Sequence, residues 1–252
     1  MNTNIDIIVP NFNKGKYLDE CLNSVILQDY KNWILYIIDD NSDDNSKNIL
    51  SKYKDNPKIK IIELKKNKGP AFCRNLGMRI SNSNFVSFLD SDDFWVPNKI
   101  SSHLKFMLDG NLNFTFSDYQ TFFEKDDIKK YIKKTNITNM LNFKKFIKNS
   151  SINTSTMVLK RSIIKNTKFK NVGLLEDYLF KCDLFKQGIS AHKVDKNLAF
   201  YRVLESSRSS SRFKNIFQLW RINKKYNKLN FFNNMISILM ISFNSIKKYG
   251  LK

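Results

Sequence analysis

The chain reads as an α/β protein with a mainly parallel central sheet flanked by helices and a helical extension at its C-terminal end. Three observations predict this. From Ile5 to Leu89, apolar runs of strand length alternate with amphipathic stretches of helix length, the order expected of a parallel sheet covered on both faces. With 252 residues, 42% of them hydrophobic, the chain can bury a full core in one large unit with a smaller piece appended. Two of the predicted strands also end in clustered carboxylates, and in open α/β sheets ligands bind outside the carboxyl ends of the strands.

Ile5–Val9 is a continuous apolar run and reads as a buried strand. Asn13 is placed to cap a helix to about Gln28, with Tyr17, Leu18, Leu22, Val25 and Ile26 near i, i+4 spacing. Trp33–Ile38 is the second strand, Ser46–Tyr53 the second helix and Lys58–Leu64 the third strand. Pro70–Ile80 is a helix with proline in its first turn, and Phe85–Leu89 is the fourth strand. Pro97 opens a helix to about Leu108, and Asn113–Ser117 is a further strand. Past Gln120 the pattern loosens, and Glu124–Asn149, rich in Lys, Asp and Asn, is expected to be a mobile excursion or short helices over the sheet's edge. Thr156–Lys160 and Ala191–Tyr201 return to strand character around a helix at Glu176–Lys186. Ser206–Ser211, with Arg208 near its centre and Arg212 just beyond, is expected to be a flexible polar loop. Phe213–Lys228 and Phe231–Lys248 are helical, and the last apolar stretch is too short to span a bilayer.

The carboxylate clusters carry the functional signal. Asp39-Asp40 closes Trp33–Ile38, and Asp90-Ser91-Asp92-Asp93 closes Phe85–Leu89. Adjacent carboxylates repel unless a cation, water or hydrogen-bond donor offsets them, so two such clusters at one end of a parallel sheet suggest a metal-and-diphosphate site. The bland alternative is that they are helix caps and turn formers, a role that Asp39–Ser42 would suit.

Composition narrows the field. No G-x-G occurs, so neither a dinucleotide fingerprint nor a P-loop is present, which argues against dehydrogenases and kinases. No G-x-S-x-G occurs, and the two histidines, His103 and His192, lack metal-ligand spacing, so they read as ordinary packed or surface residues. Cys21, Cys73 and Cys182 are an odd number and far apart, which suits a reducing compartment, the cytoplasm. The N-terminus lacks a basic stretch and a long apolar run, so no secretory signal is expected. The net charge of +20 is concentrated near the end, because no Asp or Glu follows Glu205 while Lys and Arg recur. That asymmetry points to nucleic acid or an anionic membrane surface, against compositional bias alone. Strand-end carboxylates would repel nucleic acid, which is therefore not expected as a partner.

Five motifs then carry a family resemblance. They are Ile7-Ile8-Val9-Pro10-Asn11-Phe12-Asn13, Ile38-Asp39-Asp40-Asn41-Ser42, Asn67–Gly77, Phe88-Leu89-Asp90-Ser91-Asp92-Asp93 and Leu175-Glu176-Asp177. In this order and spacing, over roughly residues 5–205, the chain resembles the family 2 inverting glycosyltransferases, whose GT-A fold is a Rossmann-like sheet. The resemblance implies that Asp90 and Asp92 hold Mg²⁺ or Mn²⁺ against a nucleotide-sugar diphosphate, with Asp92 the direct ligand. It places Asp40 against the ring NH of the base, Pro10 and Phe12 around a uracil-type base, and Arg74 near the phosphates. Phe12 stands where the family often has Tyr, so a hydroxyl contact is lost, and Leu204 stands near a position that is commonly His. Tyr201-Arg202 and the loop after it match a segment that often closes over the diphosphate.

The resemblance also makes Asp177 the general base. Taken alone, Glu176-Asp177 would instead be helix-start charge favoured by the macrodipole. The implied partners are a nucleotide-sugar donor, which the resemblance makes a UDP-sugar while the motifs leave its sugar open, and a glycan or lipid-linked acceptor. The division expected is residues 1–118 for the nucleotide half, 119–205 for the acceptor half and 206–252 for the basic tail. Met235, Ile238, Leu239, Ser242 and Ile246 fall near one helical face, flanked by Lys224, Lys225, Lys228, Lys247 and Lys248, as in an interfacial helix on anionic lipid. Packing on the main domain is the equal alternative. An inactive module of the same fold, serving to bind or scaffold, is the rival function.

Overall fold

The computed structural model describes residues 3–125, 128–134, 138–204 and 212–249. Its first half is the expected alternation: β1 (Ile5–Asn11), α1 (Gly15–Ile26), β2 (Trp33–Asp39), α2 (Ser46–Ser51), β3 (Ile59–Glu63), α3 (Pro70–Ile80) and β4 (Phe85–Phe88). These four strands are parallel, in the order β3-β2-β1-β4. Ile5, Ile7, Ile8 and Val9 of β1 are fully buried, as befits a strand covered on both faces. Because β1 lies between β2 and β4, the chain reverses its direction of winding there, and the ends of those three strands flank one crevice.

The second half adds β5 (Phe94–Trp95), α4 (Lys99–Asp109), β6 (Phe114–Lys125), β7 (Ile128–Lys134), β8 (Met140–Leu141), α5 (Phe143–Phe146), β9 (Val158–Lys160), α6 (Glu176–Lys186) and β10 (Ala191–Arg202). β9 runs antiparallel between β4 and β6 and joins the halves into one sheet, on which β10 is parallel to β6. Two further helices follow, α7 (Arg212–Lys225) and α8 (Phe231–Tyr249).

Three expectations change. The strand beginning near Asn113 does not stop at Ser117 but runs to Lys125 and pairs with β7 as a hairpin, where short helices or an excursion were expected. Of the expected short helices, only the four-residue α5 forms among the described residues. Asn13 is not the cap of α1, since Lys14 holds that position. Asn13 instead takes φ 52° and exchanges hydrogen bonds with Asp43, while Asp44 Oδ2 accepts from the Gly15 N–H at the head of the helix. The expected loop Ser206–Ser211 with Arg208 lies outside the described residues, as do the side chains of Arg212, Lys247 and Lys248.

Candidate active site

A cavity of about 1310 Å³ opens at the carboxyl ends of β1, β2 and β4 and reaches the head of α6 and the start of α7. Pro10, Phe12, Asp40, Arg74, Asp90, Asp92 and Asp177 all line it, although they come from five different segments of the chain. Asp39 and Asp93 do not.

Each carboxylate is held by a different device. Asp39 is fully buried and organises the strand-end turn: its Oδ1 accepts from Asn11 Nδ2 and Ser42 Oγ, both at 2.7 Å, and its Oδ2 accepts from the Ser42 N–H. For this residue the turn-forming alternative holds. Asp40 accepts from the backbone N–H groups of Lys68 and Gly69, at 2.7 Å each, and so ties the end of β2 to the loop before α3. Gly69 takes φ 83° there, a left-handed conformation that glycine adopts without strain. Phe12 stands 44% exposed at the lip, leaving an aromatic face open to the cavity.

Arg74, one turn into α3, is buried and reaches in two directions. Nη2 donates to Asp90 Oδ1 at 2.7 Å and Nη1 to Glu176 Oε1 at 3.2 Å. Burial alone would weaken its hold on the proton, but Asp90 and Glu176 outweigh it and raise the guanidinium pKa. Asp92 is pushed above the usual carboxylate range by burial and by Asp90, and Lys14 opposes that shift from 3.0 Å. Asp93 turns into the wall, where it accepts from Ser155 Oγ at 2.6 Å and from the Arg202 N–H at 3.0 Å. Burial and the charges of Asp92 and Asp90 raise its pKa well above normal.

Asp177 lies in the first turn of α6, preceded by Leu175 at φ 63°, a left-handed conformation that costs a branched side chain about 1–2 kcal/mol. Its Oδ2 accepts from Lys181 Nζ at 2.7 Å and from Thr154 Oγ1 at 3.2 Å. Lys181 is nearly inaccessible and also donates to the Ile152 carbonyl at 2.7 Å. Against the upward pull of burial, Lys181 and Arg74 hold Asp177 at about 2, so the carboxylate is ionised at neutral pH.

Among the described residues no cluster of three or more Asp, Glu, His or Cys side chains forms a metal cage. The two cavity-facing carboxylates nevertheless suit a hard cation that takes its remaining ligands from phosphate and water. Asp90 and Asp92 each carry one cationic partner, Arg74 and Lys14.

Sequence reasoning missed Lys14, Lys181 and Thr154. Lys14 directly follows the Pro10–Asn13 motif, and Lys181 is readable as the i+4 partner of Asp177. Thr154 gave no local signal. Arg202, expected within a diphosphate-closing segment, lines the cavity with Tyr201 and Leu204. Its guanidinium is buried, pairs with Glu20 at 2.5 Å and with Glu124, and donates to the Asp92 carbonyl at 3.0 Å. His103 is buried with Nδ1 at 2.9 Å from Thr115 Oγ1, a packed residue remote from the cavity, and the three cysteines are free thiols.

Comparisons with known proteins bear on family and fold. Residues 6–171 match the family model described as glycosyl transferase family 2. Over 218 residues the chain is 31% identical to the UDP-Glc:alpha-D-GlcNAc-diphosphoundecaprenol beta-1,3-glucosyltransferase WfgD of Escherichia coli, covering 86% of this chain and 84% of that protein. It is 27% identical to the putative teichuronic acid biosynthesis glycosyltransferase TuaG of Bacillus subtilis, covering 97% and 96%. Among solved structures, S. aureus TarS 1–349 in complex with UDP-GlcNAc superposes with a TM-score of 0.74 at 19% identity, covering 97% of this chain and 73% of that one. The shared architecture is the GT-A fold.

Proposed function

The chain belongs to glycosyl transferase family 2, and from that premise we propose that it moves a sugar from a UDP-sugar to an acceptor hydroxyl with inversion, in cell-surface polysaccharide assembly. The observation that carries the reading is the convergence of Asp40, Asp90, Asp92, Arg74 and Asp177 on one cavity. In this reading Phe12 offers a face to the base beside Pro10, and Asp40 accepts from its ring NH. Asp40 already holds two backbone donors, and a carboxylate has further lone pairs for a third. Asp90 and Asp92 would hold Mg²⁺ or Mn²⁺, whose chemistry when bound is to offset the negative charge of the departing nucleoside diphosphate. Arg74 adds a fixed positive charge beside Asp90.

Asp177 takes the proton from the acceptor hydroxyl as that oxygen attacks the anomeric carbon from the face opposite the diphosphate. Its Oδ2 is engaged by Lys181 and Thr154, and the side chain is 35% exposed toward the cavity. The halves 1–118 and 119–205 then serve donor and acceptor. A glycan or lipid-linked acceptor fits the E. coli relative named for its diphosphoundecaprenol substrate, and implies a cytoplasmic, peripheral position. No helix among the described residues is long and apolar enough to cross a membrane.

The test is transfer from UDP-sugars with Mn²⁺ or Mg²⁺, alongside thermal shift. Asp177→Asn should lower kcat by about 10²–10⁴-fold, the usual worth of a general base, and leave donor-induced stabilisation intact. Asp92→Ala should abolish the metal-dependent part of that stabilisation. Undiminished turnover by Asp177→Asn would remove it as the base, and an absence of both transfer and hydrolysis in the unmutated protein would favour the scaffolding reading.

A further inference from the structure

α8 turns polar as well as apolar residues toward the protein body, where Ile238 and Ile241 pack against the core. Asn234 and Ser237 face inward and are buried, where Asn223 Nδ2 of α7 donates to Asn234 Oδ1 at 3.1 Å and to Ser237 Oγ at 2.9 Å. Ser237 Oγ in turn donates to the Ile147 carbonyl at 2.5 Å, and Asn244 Nδ2 to that of Lys148 at 3.2 Å. With about 100° per residue, Phe232, Met235, Ile236, Leu239, Met240 and Phe243 fall together on the opposite half of the helix. That half is exposed, with Phe232 at 75% and Leu239 and Phe243 at 63%. Of the face foreseen in the sequence, Met235, Leu239 and Ile246 do point outward, whereas Ile238 packs against the core.

The patch continues onto α7, whose outer side exposes Phe213, Ile216 and Phe217. Soluble surfaces scatter such side chains singly, whereas a contiguous apolar face marks an interaction site. Here the apolar residues are interleaved with exposed Lys214, Arg221, Lys224 and Lys225, and no acidic residue lies anywhere in α7 or α8. An apolar face whose charged neighbours on α7 and α8 are all cations complements anionic lipid, whose headgroups pair with the cations while the rings enter the acyl boundary.

The same helices are fastened to the candidate active site. Tyr178, next to Asp177, donates through its hydroxyl to Asn223 Oδ1 at 2.9 Å, Gln218 donates to the Val172 carbonyl, and Asn215 of α7 lines the cavity. We infer that the outer faces of α7 and α8 form one bilayer-docking surface for an anionic leaflet, which holds the Asp177 end of the cavity beside the membrane so that a lipid-linked acceptor enters from the leaflet. The second half of this statement rests on the lipid-linked acceptor proposed above; the docking surface does not.

The experiment is vesicle flotation of the full chain with phosphatidylcholine alone or with added phosphatidylglycerol, paired with UDP-sugar turnover on a water-soluble acceptor and on a polyprenyl-diphosphate acceptor in vesicles. The unmutated protein should float with the anionic vesicles. Leu239→Glu/Phe243→Glu, and separately Phe217→Glu, should lose about tenfold or more in vesicle partitioning, keep turnover on the soluble acceptor, and lose turnover on the vesicle-borne one. None of these three side chains lies among the cavity residues, so retained soluble turnover shows that the variants fold. Equal flotation of variants and parent overturns the docking surface. So does a parent that stays off anionic vesicles and sediments as a dimer that Leu239→Glu/Phe243→Glu makes monomeric, which would assign the face to a second copy. Intact vesicle binding with turnover on soluble acceptors alone would leave the surface standing and overturn the lipid-linked acceptor.

Discussion

At the scale of single residues, the pairing of Asp177 with Lys181 sets how the candidate base titrates. The groups facing it are Lys181 on its own helix, Thr154 across the cavity wall, and Arg74, which is itself shared between Glu176 and Asp90. Burial works against the charged carboxylate, and the two cations reverse that effect and hold its pKa at about 2. The ionised form required of a base therefore persists through the whole neutral and mildly acidic range. In Lys181→Met the main opposing cation is gone while the burial remains, so the pKa should rise, by about one to two units for loss of an adjacent charge. The acid limb of the kcat profile should move up in pH by the same amount. Thr154→Val, which removes a neutral donor, should move it less. Stability follows the same sign: a carboxylate whose pKa falls from about 3.9 in the unfolded chain to about 2 in the fold stabilises above the higher value, and that contribution is lost as pH falls through the lower one. Acid unfolding monitored by circular dichroism should show Lys181→Met losing this dependence between the two values. An unshifted kcat limb, with Asp177→Asn inactive, would leave Asp177 as base and remove Lys181 from its control.

At the scale of elements, the contact between α3 and β1 decides where Arg74 stands. Gly77 packs so tightly on the strand that an added Cβ would lie 2.5 Å from Ile8 Cγ2 and 3.0 Å from Ile8 Cγ1. Ile8 is fully buried and has no room to retreat. Gly77→Ala should therefore push α3 outward at a cost of about 1–3 kcal/mol, read by urea denaturation. Arg74 sits three residues earlier, so the shift should also weaken its bond to Asp90 and lower kcat; adding Ile8→Ala, which removes both crowded carbons, should restore part of kcat at a further cost of about 2–5 kcal/mol in stability for the lost core side chain. The helix itself was legible, with Pro70–Ile80 bounded by a proline in its first turn, and so was α6, because both begin at motifs. The hairpin β6–β7 was not. Asp118, Gln120 and Thr121 interrupt the apolar run and Lys129, Lys130 and Lys134 dominate its partner, yet Gln120 and Thr121 are buried because neighbouring strands cover them. β5 is two residues long and exists through its pairing with β10, information that no local window contains.

At the scale of the whole molecule, the cavity is held together by contacts that lie far apart in sequence, and Arg202 makes several of them. From the end of β10 it pairs with Glu20 of α1 and Glu124 of β6, donates to the carbonyl of Asp92, and lies 4.4 Å over the Tyr17 ring. The first of these spans 182 positions, so although the carboxylate motifs were readable as local strings, the residue that anchors them was read only as part of a closing segment. In the structure it joins the acidic turn after β4 to the opposite half of the sheet. Removing one partner from a buried ionic network leaves the others uncompensated, which typically costs about 3–5 kcal/mol. Glu20 keeps access to water, but Glu124 is only 9% exposed, so much of that cost should appear in Arg202→Met. Because the Asp92 carbonyl loses its donor, the turn that presents Asp90 and Asp92 should loosen, and donor KM should rise with the fall in melting temperature. Glu124→Gln keeps an acceptor for the guanidinium and should show a smaller loss of both. A guanidinium whose task was to grip the diphosphate would behave otherwise: Arg202→Met would raise donor KM with the melting temperature of the free protein unchanged. Differential scanning calorimetry of the ligand-free variants, set beside their donor KM values, separates the two roles.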